Sequence, residues 1–194
     1  AITYGCRDSD GTARVRRELS TRIDALQLRE VYNLELGTYP LIDRMSRIGI
    51  KPDLDHFAAL SARLGGEIET IQGKLASATA LGDFNANSGD QVAAYLFDTL
   101  NLEGMKRTGE GRYSTNDKIL EALEKEHGTN YPIISDIRAY RETYKLKHTF
   151  VDRLPDFVQR WPFDGRIHAS FRTTRVVTGR LAASDPNLLA MPKH

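Results

Sequence analysis

The sequence predicts a mainly α-helical chain with a small β element near its C-terminal end. Three observations carry this prediction: two long stretches whose apolar residues recur at helical spacing, and a final stretch in which polar and apolar residues alternate. In the first stretch, Leu54, Phe57, Leu60, Leu64, Ile68, Ile71 and Leu75 fall three and four residues apart, which keeps them on one stripe of a helix. Residues 54–78 therefore read as one helix, longer than the ~10–14 residues usual in globular proteins. Asp53, just after Pro52, is placed to cap its free N–H groups. Gly65-Gly66 weaken the middle by about 1 kcal/mol each relative to Ala and mark a bend or a close crossing.

The second long helix is expected over residues 133–150, with Ile133, Ile137, Tyr140 and Tyr144 as its stripe. Two long helices so separated are suited to antiparallel pairing. Between them, the cluster Asn85–Ser88 offers side-chain oxygens to cap a helix through Gln91–Phe97. Residues 104–116, "GMKRTGEGRYSTN", are glycine-rich and aperiodic and read as an exposed loop. One of Ser114, Thr115 and Asn116 then caps a helix carrying Ile119, Leu120 and Leu123. After Leu154-Pro155 the period changes: Ile167, Ala169 and Phe171 alternate with Arg166, His168, Ser170 and Arg172, which argues for a strand.

Bulk properties narrow the function classes. A chain of 194 residues, 40% of them hydrophobic, is long enough to build a core. With 27 basic and 26 acidic residues, attraction to polyanions has to come from local clustering of charge. The single Cys6 excludes an internal disulfide and suits a reducing, cytoplasmic setting. No stretch reaches the ~20 apolar residues of a membrane span, so no membrane partner is expected. The opening Ala1-Ile2-Thr3 reads as the interior of a longer sequence, and a fragment is expected.

Local clusters do exist. Arg138, Arg141, Lys145 and His148 are spaced three, four and three, a line of cations that fits either a solvated helix face or the backbone of a nucleic-acid duplex. From Arg166 to Arg180 there are four arginines and no acid, with the hydroxyls of Thr173, Thr174 and Thr178 interleaved. Such a stretch offers donors to phosphate and sugar oxygens, and equally fits an ordinary strand-to-turn connection. Gly179 lets the backbone turn before Arg180, and Asp185-Pro186-Asn187 reads as a further turn.

The motif "VVTGRLAASDPNLLAMP" resembles the family A DNA polymerase signature TGRLSSSDPNLQNIP, which precedes the first catalytic aspartate motif of the palm. "LIDRMSRIGIKPD" resembles the helix leading into that family's thumb. "FNANSGDQVAAYLFDTLNL", "YSTNDKILEAL" and "YRETYKLKHTFVDRLP" resemble successive thumb segments, in the family's order over nearly the whole chain. At the start, "YGCRDSDGT" resembles the third motif of the 3′→5′ exonuclease domain. The ending Leu189-Ala190-Met191-Pro192 is closer to phage-type members.

The resemblance implies a segment running from the end of an exonuclease-like domain (1–30), through a helix at the palm base (31–53) and a thumb (54–155), to the start of the palm (156–194). It implies that Arg141 and Lys145 contact backbone phosphates. Asn85, Asn87 and Ser88, together with Lys106, Arg107, Arg112, Ser114 and Thr115, would form the tip that grips the product duplex. Arg180 would reach the minor groove at the primer end, where every correct pair presents acceptors, with Thr178 and Asn187 beside it. Tyr4 and Asp8 would be an exonuclease remnant, Asp8 ligating a metal only together with residues outside this chain. The two-metal chemistry, with Mg²⁺ held by palm aspartates, would likewise lie outside it, leaving the chain inactive alone. Its partners would be primer-template DNA and the missing palm, fingers and exonuclease segments, in replication or repair in a bacterial or phage-infected cell. Ala182-Ala183 and Leu189-Ala190 stand where the family often carries polar residues, so no DNA contact is assigned to them. The alternative is a non-catalytic duplex-binding helical module derived from a thumb, and a plainer one is a helical interaction protein without DNA affinity.

Overall fold

The computed structural model describes the backbone of residues 2–102 and 113–192, with side chains from residue 6 onward. The chain divides into two compact units, one formed by Ala1–Ile50 with His168–Ala190, the other by Lys51–Ile167 with Met191–His194.

The second unit holds the helix pair. α3 (Leu54–Thr79) begins where expected: the Asp53 carboxylate accepts the His56 N–H at 3.0 Å. It is followed by α4 (Gly89–Ala93), which runs into a π-helical turn (Ala94–Thr99), and by α5 (Asp117–His127) and α6 (Ile133–Lys145). Ser88 caps α4 through the Gln91 N–H, and of the three candidates before α5 it is Asn116 that caps, accepting the Ile119 N–H at 3.1 Å.

The expected continuous helix over 133–150 is corrected in one respect. α6 ends at Lys145 and a π-helical turn (Leu146–Val151) follows, closed by the Asp152 N–H donating to the Lys147 carbonyl at 2.9 Å. A wider turn changes the angular step between residues, and here Phe150 and Val151, neighbours in sequence, are both buried. A regular α pattern of three and four has no signal for such a bulge. A short helix α7 (Leu154–Gln159) then starts with Pro155 in its first turn, where no N–H is missed.

α3 and α6 pack together and run antiparallel. Ser61 bonds to Asp152, while four residues further along α3 a Cβ on Gly65 would stand 3.7 Å from Lys147 Cε, five residues back. Gly65 thus marks a close crossing. The core gathers Ile68 and Leu75 of α3, Val92, Leu96 and Phe97, Leu120 and Leu123 of α5, and Ile133, Ile134, Ile137 and Tyr140 of α6. Leu96, Leu120, Leu123, Ile134 and Ile137 are fully enclosed, so the amphipathic stripes meet in one cluster.

In the first unit, α1 (Ile2–Ala25) and α2 (Arg29–Ile48) are joined by a tight turn with Gln27 at φ 56°. Arg29 fastens this turn with bonds to both carboxylate oxygens of Asp24 at 2.8 Å and to the Ser20 hydroxyl at 2.8 Å. The Arg29 guanidinium holds the Asp24 carboxyl below its ordinary range. The strand read over 166–172 is shorter than expected: β1 covers only Ser170–Arg172 and pairs antiparallel with β2 (Ala182–Ser184), with Phe171 opposite Ala183. β2 has no alternation to announce it, because three small residues exist as a strand only by pairing with β1. A 3₁₀ turn (Leu188–Ala190) follows. His168 ties this hairpin to α2, its Nδ1 lying 2.8 Å from the Ser46 carbonyl, which can only accept, so Nδ1 carries the proton.

Candidate nucleic-acid interface

The cations of α6 have separate fates. The Arg138 guanidinium bonds Asp117 at 3.0 Å and closely engages Glu124, and these acids raise its pKa. Arg141 is half-buried and points into the protein. Its Nε donates to the Ala86 carbonyl at 2.6 Å, Nη1 to the Thr115 carbonyl, and Nη2 lies 3.4 Å from Thr115 Oγ1. Burial lowers its pKa, partly offset by Asp117. Lys145 is exposed one turn further along. The aromatic stripe continues beside it: Tyr140 stacks on Tyr144, and Tyr144 tilts against His148 with centroids 4.2 Å apart.

Arg141 thereby joins the two loops that the family resemblance assigns to one tip. In the first, Asn85 and Asn87 are exposed, the Asn85 Oδ1 accepts the Asn87 N–H at 2.9 Å, and the Gln91 Oε1 accepts the Asn85 N–H at 2.7 Å. Ser88, at the helix cap, is half-buried. In the second loop Ser114 is half-buried and Thr115 is buried, 8% exposed. Lys106, Arg107 and Arg112 lie outside the described residues.

In the other unit, the β1–β2 hairpin carries Arg172, Arg175, Thr178 and Arg180, all exposed. The turn closes where Gly179, at φ 72°, donates its N–H to the Val176 carbonyl at 3.0 Å. That left-handed conformation suits glycine, and Arg180 follows it onto the surface. An open groove on this hairpin is lined by Ser170, Arg172, Arg175, Asp185 and Asn187. Asn187 is exposed just after the cis Asp185–Pro186 peptide. Asp8 is exposed on α1, its carbonyl accepting the Thr12 hydroxyl at 2.8 Å. Among the described residues no three His, Cys, Asp or Glu side chains gather as a metal site would require.

One cluster was not foreseen from sequence. Lys147 Nζ donates to Ser61 Oγ at 2.7 Å and to both Asp152 oxygens at 3.0 Å, while Ser61 donates to Asp152 at 2.7 Å. His148 Nδ1 stands 3.2 Å from the same carboxylate. Burial pushes the Asp152 carboxyl up, but the bonds from Ser61 and Lys147, with the charges of Lys147 and His148, bring it below its ordinary value. The cluster ties the π-helical turn to α3. The i, i+5 spacing of Lys147 and Asp152 carries no signal in a regular α-helix.

The chain is similar to known proteins in sequence and in fold. The model of DNA polymerase family A matches residues 54–194, well over half of the chain. The thermostable DNA polymerase I of Thermus aquaticus is 39% identical over 153 residues, covering 78% of this chain and 18% of that protein. The DNA polymerase I of Pseudomonas aeruginosa is 32% identical over 191 residues, covering 97% of this chain and 20% of that protein. The chain therefore spans about a fifth of the length of these relatives. A solved structure of the POL domain of Pol1 from M. smegmatis, in complex with DNA primer-template and dNTP, superposes with a TM-score of 0.72 at 32% identity, over 82% of this chain and 27% of that one. The chain belongs to DNA polymerase family A.

Proposed function

We propose that this chain is the part of a DNA-directed DNA polymerase that grips the primer-template duplex. The observation that carries the reading is the β1–β2 hairpin, which presents Arg172, Arg175 and Arg180 to solvent with no acid between Asp164 and Asp185. The primer-template DNA held by the similar M. smegmatis domain supports it. Residues 54–155 act as the thumb and 156–194 begin the palm, with 1–30 closing an exonuclease-like domain and 31–53 forming the palm-base helix.

Lys145 and the hairpin arginines Arg172 and Arg175 meet phosphates, which position the duplex without choosing its sequence. Asn85, Asn87, Ser88 and Ser114, with Lys106, Arg107 and Arg112, grip the product duplex. Arg180, flanked by Thr178 and Asn187, lies in the minor groove at the primer end, where a guanidinium tests pair geometry. In the intact polymerase Mg²⁺ would supply the two-metal chemistry, held by the palm aspartates that the resemblance implies outside this chain. No chemical step is assigned to this chain. The reading places it with the genome, in the cytoplasm of a bacterial or phage-infected cell.

Fluorescence anisotropy with a labelled primer-template duplex tests this. Three phosphate contacts predict a fall of log affinity with log salt of slope about −2.7 or steeper. Absence of binding at low salt, or binding indifferent to salt, overturns the reading.

A further inference from the structure

We propose that Arg141 is a positioning residue: its guanidinium locks the loop at 85–88 to the loop at 113–116, and these loops rather than Arg141 itself face the DNA. The inference rests on the DNA-grip reading above for its second half only. Its basis is geometric. Nε and Nη1 are spent on the carbonyls of Ala86 and Thr115, residues that are 1% and 8% exposed, and Nη2 is turned to the Thr115 hydroxyl.

The two loops lie side by side: a Cβ on Gly89, next to Ser88, would stand 3.5 Å from Thr115 Oγ1. Each loop also ends in a helix cap, Ser88 for α4 and Asn116 for α5. One planar fork anchored on α6 thus sets the relative position of two capping loops. A half-buried cation whose donors are engaged with carbonyl dipoles is poorly placed to receive a phosphate, because the phosphate would have to displace bonds already made. Lys145, exposed on the next turn, is free of that constraint. A lysine at position 141 would keep the charge but lose the two-pronged geometry.

The test compares Arg141→Lys and Arg141→Gln with the unsubstituted chain by amide hydrogen exchange without DNA and by salt-dependent binding to a primer-template duplex. Exchange at Ile134 and Ile137 in the core of α6 is the internal control for folding, and Arg141→Lys, which keeps charge and stem, is the milder variant. The expected result is exchange about ten- to a hundredfold faster at 85–89 and 113–117 in both variants, with core exchange unchanged. Duplex affinity then falls in both while the salt slope stays as in the unsubstituted chain. Unchanged exchange in the two loops overturns the proposal. So does a slope reduced by about one in Arg141→Gln and restored in Arg141→Lys, the pattern of a direct phosphate contact. If the unsubstituted chain binds no duplex, the DNA-grip reading fails, and the exchange data still decide whether Arg141 locks the loops.

Discussion

Lys147 and Asp152 meet across one π-helical turn, the ammonium 3.0 Å from each carboxylate oxygen, with Ser61 of α3 bonded to both. The pair fastens the end of the second long helix to the beginning of the first. Asp152 is held below its ordinary value of 3.8, so its contribution to stability is present above that value and fades as pH falls through the lowered folded value. Asp152→Asn should therefore destabilise the chain at neutral pH and flatten the acid limb of its stability curve, measured by urea unfolding across pH. An acid limb identical to that of the unsubstituted chain would show that the ionised carboxylate adds nothing.

Removing the cation should cost more than removing the charge difference alone. Lys147→Met leaves the partly buried Asp152 with Ser61 and His148 only, and a loss of about 1–3 kcal/mol is expected at neutral pH. Denaturant midpoints at constant slope measure it. A change within about 0.5 kcal/mol would place this pair with weak surface ion pairs.

Lys145 and Arg138 lie on one helix and should separate cleanly. Lys145→Ala is expected to weaken duplex binding for all sequences alike and to reduce the salt slope by about one. Arg138→Ala, which loses Asp117 and Glu124, should lower stability and leave the slope as it was. A slope that responds to Arg138 and ignores Lys145 would reverse the assignment.

Arg180→Ala, tested in a polymerase reconstituted with the palm and fingers, should slow primer extension more than it weakens duplex binding. Under the proposed function its contact is at the reacting end, where its loss would be felt in the transition state. Equal loss in rate and affinity would move Arg180 from the primer end to general grip.

The core makes a further prediction. Leu120 and Ile134 are fully enclosed, and truncation of either to Ala should cost about 2–5 kcal/mol through lost burial and the cavity left behind. Lys118→Ala, on the exposed side of α5, should stay within about 0.5 kcal/mol. Similar small effects at all three positions would mean that the helices do not close on a common core.

Much of the architecture was legible in the sequence because it depends on near neighbours. The stripe from Leu54 to Leu75, the Asp53 cap, the capping clusters at 85–88 and 114–116, and the glycine turn before Arg180 all follow from interactions within a few residues. β2 and the π-helical turns were not legible. Ala182–Ser184 forms a strand only against Ser170–Arg172, and a widened turn leaves no mark in an α-helical period.

The sequence by itself determined the mainly helical class, the two long amphipathic stripes and the motifs shared with DNA polymerase family A. It also placed Arg138, Arg141 and Lys145 in a line on one helix. Only the tertiary structure decided what each of them does there, since Arg138 bonds residues 21 and 14 positions away and Arg141 bonds residues 55 and 26 positions away. Helical spacing orders side chains around one axis, but burial and hydrogen-bond partners come from other segments brought alongside. The same folding that half-buries Arg141 between two loops, its donors engaged with the Ala86 and Thr115 carbonyls, leaves Lys145 exposed to solvent.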